Sequence, residues 1–210
     1  MKAFVLALAL AAGLGYNYWK GHRQIQVEAP PPVTLSMAAD TSAPRQRDLS
    51  RQPVFRVNGY TLTGLAEFSM GARVILARHY SSDREADLSP VDLALAWGPM
   101  ADPDVLAAIS FSQSGRFYHW RYQGTPPIPR REIEQNSANM HMIPSSREMA
   151  QQLQAVKPGD LVRLRGYLVR AESQEGWLWT SSLTRDDTGG GACELIFLQE
   201  LHVLKSPSPG

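Results

Sequence analysis

His141 and Cys193 are the two residues here whose types suggest covalent chemistry. A thiol becomes a nucleophile when a nearby imidazole draws off its proton, because the thiolate is the attacking species. Cys193 follows the run Gly189-Gly190-Gly191. Backbone N–H groups in such a run can line an oxyanion pocket. Arg185, Asp186 and Asp187 stand just ahead of it; an arginine can hold an oxyanion or a carboxylate, and an aspartate can orient an imidazole. Cys193, His141 and Arg185 are therefore the catalytic candidates. A plainer reading competes, and it is the one adopted. Cys193 heads an apolar strand and packs as a small hydrophobe, while His141 satisfies a backbone carbonyl. No sequence signature surrounds either residue.

Binding is the second kind of chemistry. Asn139 lies in the polar cluster Asn136 to His141 (NSANMH), and Asp186-Asp187 offers two carboxylates. Adjacent carboxylates chelate poorly without further oxygens, and no EF-hand spacing is present. No HExxH, CxxC, GxGxxG, GxSxG or P-loop pattern occurs, so neither a metal nor a cofactor is expected. The stretch Arg116 to Arg131 is aromatic and basic. Phe117, Tyr118, His119, Trp120 and Tyr122, with Arg116 and Arg121, suit base stacking and phosphate pairing. In a strand, however, Tyr118, Trp120 and Tyr122 share one face and pack inward. A net charge of +1 over 210 residues also argues against a dedicated nucleic-acid binder.

The elements that must position these residues centre on Lys157 to Cys193. Pro158-Gly159-Asp160 signals a turn. Val162, Leu164, Gly166 and Leu168 then alternate with Leu161, Arg163, Arg165 and Tyr167, as in a half-buried antiparallel strand. A hairpin and a second strand, ending in Thr180 to Thr184, follow. The last strand, Glu194 to Val203, is apolar on both faces and belongs in the middle of its sheet. Earlier, Asn58-Gly59 marks a hairpin between Val54 and Leu62. Ala72 to His79 and Arg116 to Tyr122 read as strands, and Asn139 to Ile143 as a short extended piece. Ser89-Pro90 predicts a helix through Trp97, and Asp102-Pro103 another through Ile109. Arg130 to Gln135 is a helical turn or two. Ser145 and Glu148 form a capping box for a helix to about Ala155 that buries Met149, Leu153 and Val156. The fold class is α+β: a mostly antiparallel sheet or small β-barrel (OB-like or sortase-like) with short helices, preceded by one N-terminal transmembrane helix.

Residues 3–15 are almost wholly apolar and follow Lys2, with Tyr16, Tyr18 and Trp19 after them. A charged start, an apolar run and an interfacial aromatic belt point to an uncleaved signal anchor over residues 1–19; a cleaved signal peptide is the alternative. Residues 20–53 hold Pro30-Pro31-Pro32 and few large apolar groups, so a solvated tether is expected. The folded domain is then 54–204, and 205–210 a disordered tail. The membrane is the one partner that the residues indicate. The domain is placed outside the cytoplasm, in the periplasm.

Two resemblances add to this. The order of anchor, sheet, His141, helix, Gly159-Asp160 turn, strand and late Cys193 resembles sortase transpeptidases from about His141 onward. It departs from them where Arg185 precedes Cys193 instead of following it. In SPVDLALAWGPM, SANMHMIP, GDLVRLRGYLV and SSLTRDDTGGGACE the chain also resembles uncharacterised membrane-anchored bacterial proteins, a likeness that implies no chemistry. The function expected is that of a binding or accessory module of the bacterial envelope. The alternatives are a thiol hydrolase or transpeptidase using Cys193 and His141, and an OB-like binder of nucleic acid or oligosaccharide.

Overall fold

The computed structural model describes residues 25–184 and 193–204. The expected anchor, the first residues of the tether, Arg185, Asp186, Asp187, the triple glycine and the tail lie outside the described residues. Among the described residues, no helix is long and apolar enough to cross a membrane.

Among the described residues, ten strands and three short α-helices make a mostly β structure. The strands are β1 (Arg45–Asp48), β2 (Val54–Val57), β3 (Tyr60–His79), β4 (Val91–Ala96), β5 (Ser110–Ser114), β6 (Phe117–Arg121), β7 (Ser137–Pro144), β8 (Leu161–Glu172), β9 (Leu178–Thr180) and β10 (Glu194–Leu204). The helices are α1 (Pro103–Ala107), α2 (Arg130–Gln135) and α3 (Arg147–Gln154). β3 turns back from β2 at Asn58-Gly59, both in the left-handed region, as the sequence indicated. The long β3 pairs with β8 through Thr61–Arg73 and with β4 through Arg73–His79. β4 pairs antiparallel with β7, β7 parallel with β10, and β10 antiparallel with β8. The pairing order β3-β4-β7-β10-β8 therefore returns to β3. β5 and β6 form a separate two-stranded hairpin.

One face of these five strands builds the main core, with Phe68, Met70, Leu93, Leu95, Met140, Leu164 and Ile196 all fully buried. Met149 and Leu153 of α3, and Val156 after it, join that core, as their helical spacing indicated. The alternation in β8 holds from Leu161 to Gly166, with Val162 and Leu164 buried and Leu161, Arg163 and Arg165 half-buried; from Tyr167 to Val169 both faces are covered, and Tyr167, expected on the open face, is 2% exposed. The opposite face carries two further cores. One gathers Phe55, Val57, Leu62, Tyr167, Val169 and Phe197 beside β2. The other packs Ala94, Ala96, Met100 and Ile133 under the β5–β6 hairpin and α2. Tyr118, Trp120 and Tyr122 turn into it, as strand alternation required. β10 runs between β7 and β8, the central position that its two apolar faces demanded.

Four expectations need correcting. The helix expected from Pro90 to Trp97 is absent, and strand β4 (Val91–Ala96) occupies that stretch. The Ser-Pro start signal is local, and it yields to sheet pairing that buries every residue of the strand on one face or the other. The helix cap is Ser146, whose Oγ accepts from the Met149 N–H at 3.1 Å, in place of the Ser145–Glu148 box. Ala72 to His79 is only the end of a 20-residue strand. The polar residues that hid the rest, Glu67 and Ser69, are buried by a covering segment.

That segment is the fourth correction. From residue 25 onward the expected tether is a strap laid across the sheet. Val27 bridges Val57. The Val33 N–H donates to Gln199 Oε1 at 2.8 Å, and the Tyr167 hydroxyl donates to the Pro31 carbonyl at 3.1 Å. The Thr34 and Leu35 N–H groups donate to the Glu67 carboxylate at 3.0 and 2.9 Å, and the Ala38 N–H to Ser69 Oγ at 2.8 Å. β1 then pairs with β3. Val33 enters the core beside β2, and Ile25, Val27, Leu35 and Leu49 pack against it. The strap's backbone donors are met both by side chains of the sheet and by sheet carbonyls, as where the Glu28 N–H donates to the Arg56 carbonyl at 3.0 Å. Gly71 admits it closely, since a Cβ there would stand 2.0 Å from the Asp40 carbonyl oxygen.

Candidate functional site

Asp92 is a lone acid in the buried run VDLALA, and it is fully buried. Strand alternation sends Val91, Leu93 and Leu95 into the main core, so Asp92 emerges on the other face with Ala94 and Ala96. His141 lies directly opposite it on β7. A buried carboxylate needs a cation or several donors, and the β5–β6 turn supplies one. That turn has two residues, Gly115 and Arg116, at φ 56° and 68°, the left-handed pair that tight hairpins use. It carries Arg116 back over the sheet. Arg116 Nη1 donates to Asp92 Oδ1 and to the Ser89 carbonyl, both at 2.9 Å. Nη2 and Nε donate to Asp83 at 2.7 and 3.2 Å. The guanidinium also covers the Tyr80 ring, 3.7 Å from its centroid. Burial opposes the Arg116 charge, but hydrogen bonds to Asp83 and the field of Asp92 leave its pKa raised. For Asp83, burial pushes upward and the bonds to Arg116 win, so its carboxyl is lowered.

Asn139 ties the hairpin to the sheet. Its Nδ2 donates to the Arg116 carbonyl at 2.9 Å and reaches Asp92 Oδ2 at 3.4 Å, and its Oδ1 accepts from Gln113 Nε2 at 2.6 Å. Nearby, the Tyr118 hydroxyl donates to Ser137 Oγ at 3.1 Å, and burial pushes its pKa up. His141 is 3% exposed and packs its ring on Trp179, with centroids 4.6 Å apart. Its Nδ1 lies 2.9 Å from Asp92 Oδ1 but without the alignment of a hydrogen bond. From Trp179 a row of rings continues to Trp177 at 5.8 Å and to Tyr60 at 5.7 Å.

His141 and Asn139 are thus brought together, with Asp92 and Arg116 as partners that the sequence reading had not grouped. The usable signal was the lone acid inside a strand-length apolar run. Cys193 is half-buried at the head of β10, its carbonyl accepting from the Ser182 N–H at 3.1 Å. The parallel register sets Leu195, not Cys193, opposite His141. Arg185, Asp186 and Asp187 lie outside the described residues. Among the described residues, no group of three or more His, Cys, Asp or Glu could hold a metal ion. A groove of about 400 Å³ runs beside the strap, and its charged lining residues Arg165 and Glu200 are bonded to each other. Comparison with protein-family models, with curated proteins and with solved structures finds no match.

Proposed function

We propose that the chain is a membrane-anchored extracytoplasmic binding module built on an OB-like barrel. Support for the barrel comes from the strand order: β3 pairs with β4 and β8, β7 runs parallel to β10, and α3 sits between β7 and β8. That order supports a five-stranded Greek-key barrel, a class in which one sheet face and the adjoining loops bind oligomers. One observation carries the preference for binding over thiol chemistry. A catalytic imidazole is oriented by a hydrogen bond from its Nδ1 to a carboxylate and keeps its other nitrogen open to the reacting group. His141 has the carboxylate, but its Nδ1 is out of line with Asp92, and its ring is sealed beneath Trp179.

Alkylation of the native chain with iodoacetamide tests this reading. Slow labelling of Cys193, with a rate unchanged in His141→Ala, is the expected outcome. Rapid labelling at pH 6–7 that is lost in His141→Ala replaces the binding module with the thiol enzyme. The anchor is tested separately, by retention of the chain in membranes through high-salt and carbonate extraction. Release of a chain beginning after residue 20 removes the anchor and leaves a cleaved signal.

A further inference from the structure

Resting on the binding-module reading, we infer that the row Tyr60, Trp177 and Trp179 is the ligand site, and that its ligand is an uncharged oligosaccharide. All three rings are half-buried: they back onto the core of Phe55, Val57 and Leu62 and leave their outer parts open. The support beneath them is rigid. Trp179 rests on buried His141, and Trp177 is set by the turn in which the Ser173 N–H donates to the Trp177 carbonyl at 2.9 Å. Successive rings meet nearly edge to face, at 69° and 63°. The surface is therefore corrugated, alternating face and edge. Flat nucleobases stack best on parallel faces. A sugar ring presents polarised C–H groups on both sides and packs against the negative face of an aromatic ring.

Charge narrows the choice further. Asp87, Glu175 and Glu85 lie close enough to Tyr60 to add to the effect of burial in raising its hydroxyl pKa, against Arg84. Asp87 and Glu175 are exposed. An acidic rim repels a phosphate backbone or an anionic lipid surface, and its carboxylates are acceptors for the hydroxyl groups of a neutral sugar.

The test uses the full chain reconstituted in phosphatidylcholine nanodiscs, titrated calorimetrically with chitohexaose, cellohexaose, oligothymidylate and phosphatidylglycerol vesicles. One or both hexasaccharides should bind. Trp177→Ala should weaken that binding by about tenfold or more, and Trp177→Phe, which keeps a stacking ring, by only about threefold. Glu175→Lys lies at an exposed turn and spares the fold; it should also weaken saccharide binding by about threefold. Should neither hexasaccharide bind while Cys193 stays unreactive, the saccharide assignment falls and the binding module stands. Binding of oligothymidylate or vesicles that Trp177→Ala abolishes would replace the saccharide with nucleic acid or with lipid. Rapid thiol labelling would overturn the reading beneath both.

Discussion

Two buried carboxylates on the outer faces of the sheet are satisfied by opposite means. Asp92 is served by side chains: Arg116 and Asn139. Glu67, 3% exposed, is served mainly by main chain: the N–H groups of Thr34 and Leu35, joined by the Thr34 hydroxyl and Arg47. The first arrangement depends on the identity of every residue in it. The second depends on a backbone lying in the right place, so many sequences could form the strap. A side-chain network therefore fixes the β5–β6 hairpin specifically, while a main-chain clamp fixes the strap generically.

The largest effect should come from breaking the side-chain network. Arg116→Met leaves Asp92 buried without its cation and should cost roughly 3–5 kcal/mol in chemical denaturation. Adding Asp92→Asn should recover part of that loss, and a purely additive double variant would mean that the pair does not act as a unit. Leu164→Ala calibrates the scale as an ordinary core truncation, at roughly 2–5 kcal/mol. The clamp should yield less: Glu67→Gln removes charge-assisted bonds and should cost about 2 kcal/mol. Its signature is local, with proteolysis appearing before Arg45 while the main sheet stays protected. Gly71→Ala, whose Cβ meets the Asp40 carbonyl, should open the same segment by a steric route.

Acid sharpens the contrast. Burial raises the Glu67 carboxyl pKa, but the N–H groups of Thr34 and Leu35 and the charge of Arg47 outweigh it and leave the pKa lowered. A carboxyl lowered on folding contributes stability that is complete above its unfolded value, about 4.3, and that drains away as pH falls through the folded value. The strap should therefore become sensitive to protease below about pH 4, and Glu67→Gln should flatten that dependence. The smallest effect should belong to Arg163→Ala, under about 1 kcal/mol, because Arg163 is on the half-exposed face of β8.

How much was legible follows from range. The first half of β8 and the whole of β10 were read correctly because their patterns answer directly to burial on one face or two. The Asn58-Gly59 hairpin and the Asp102-Pro103 helix start were legible because turns and caps are local chemistry; the Asp102 carboxylate does accept from the Asp104 N–H, at 2.8 Å. The strap was not, because its partners lie far along the chain: Glu67, Ser69 and Gln199 are at least 31 positions from the residues they hold, and the core that Val33 enters is built by distant strands. β4 was misread because Ser89-Pro90 speaks for a helix locally, whereas its two covered faces are a tertiary fact. For the candidate site, His141 and Asn139 were picked out, but Asp92 and Arg116 were left unjoined. They stand 24 positions apart, and only the left-handed turn at Gly115-Arg116 brings the guanidinium over β4.

The strap also sets how far the domain can roam. Ile25 and Val27 already pack against the core beside β2, so with the proposed anchor ending at residue 19 at most the five residues Lys20 to Gln24 lie between the bilayer and the packed strap. Fully extended, those residues reach about 18 Å, against more than about 100 Å had residues 20–53 been free. The search volume shrinks accordingly. The chain would probe a thin layer along the membrane plane, where the effective concentration of a surface-bound ligand is high. Because the Gln26 N–H donates to Asn58 Oδ1 at 3.2 Å, the strap meets the domain at the β2–β3 turn, beside Tyr60.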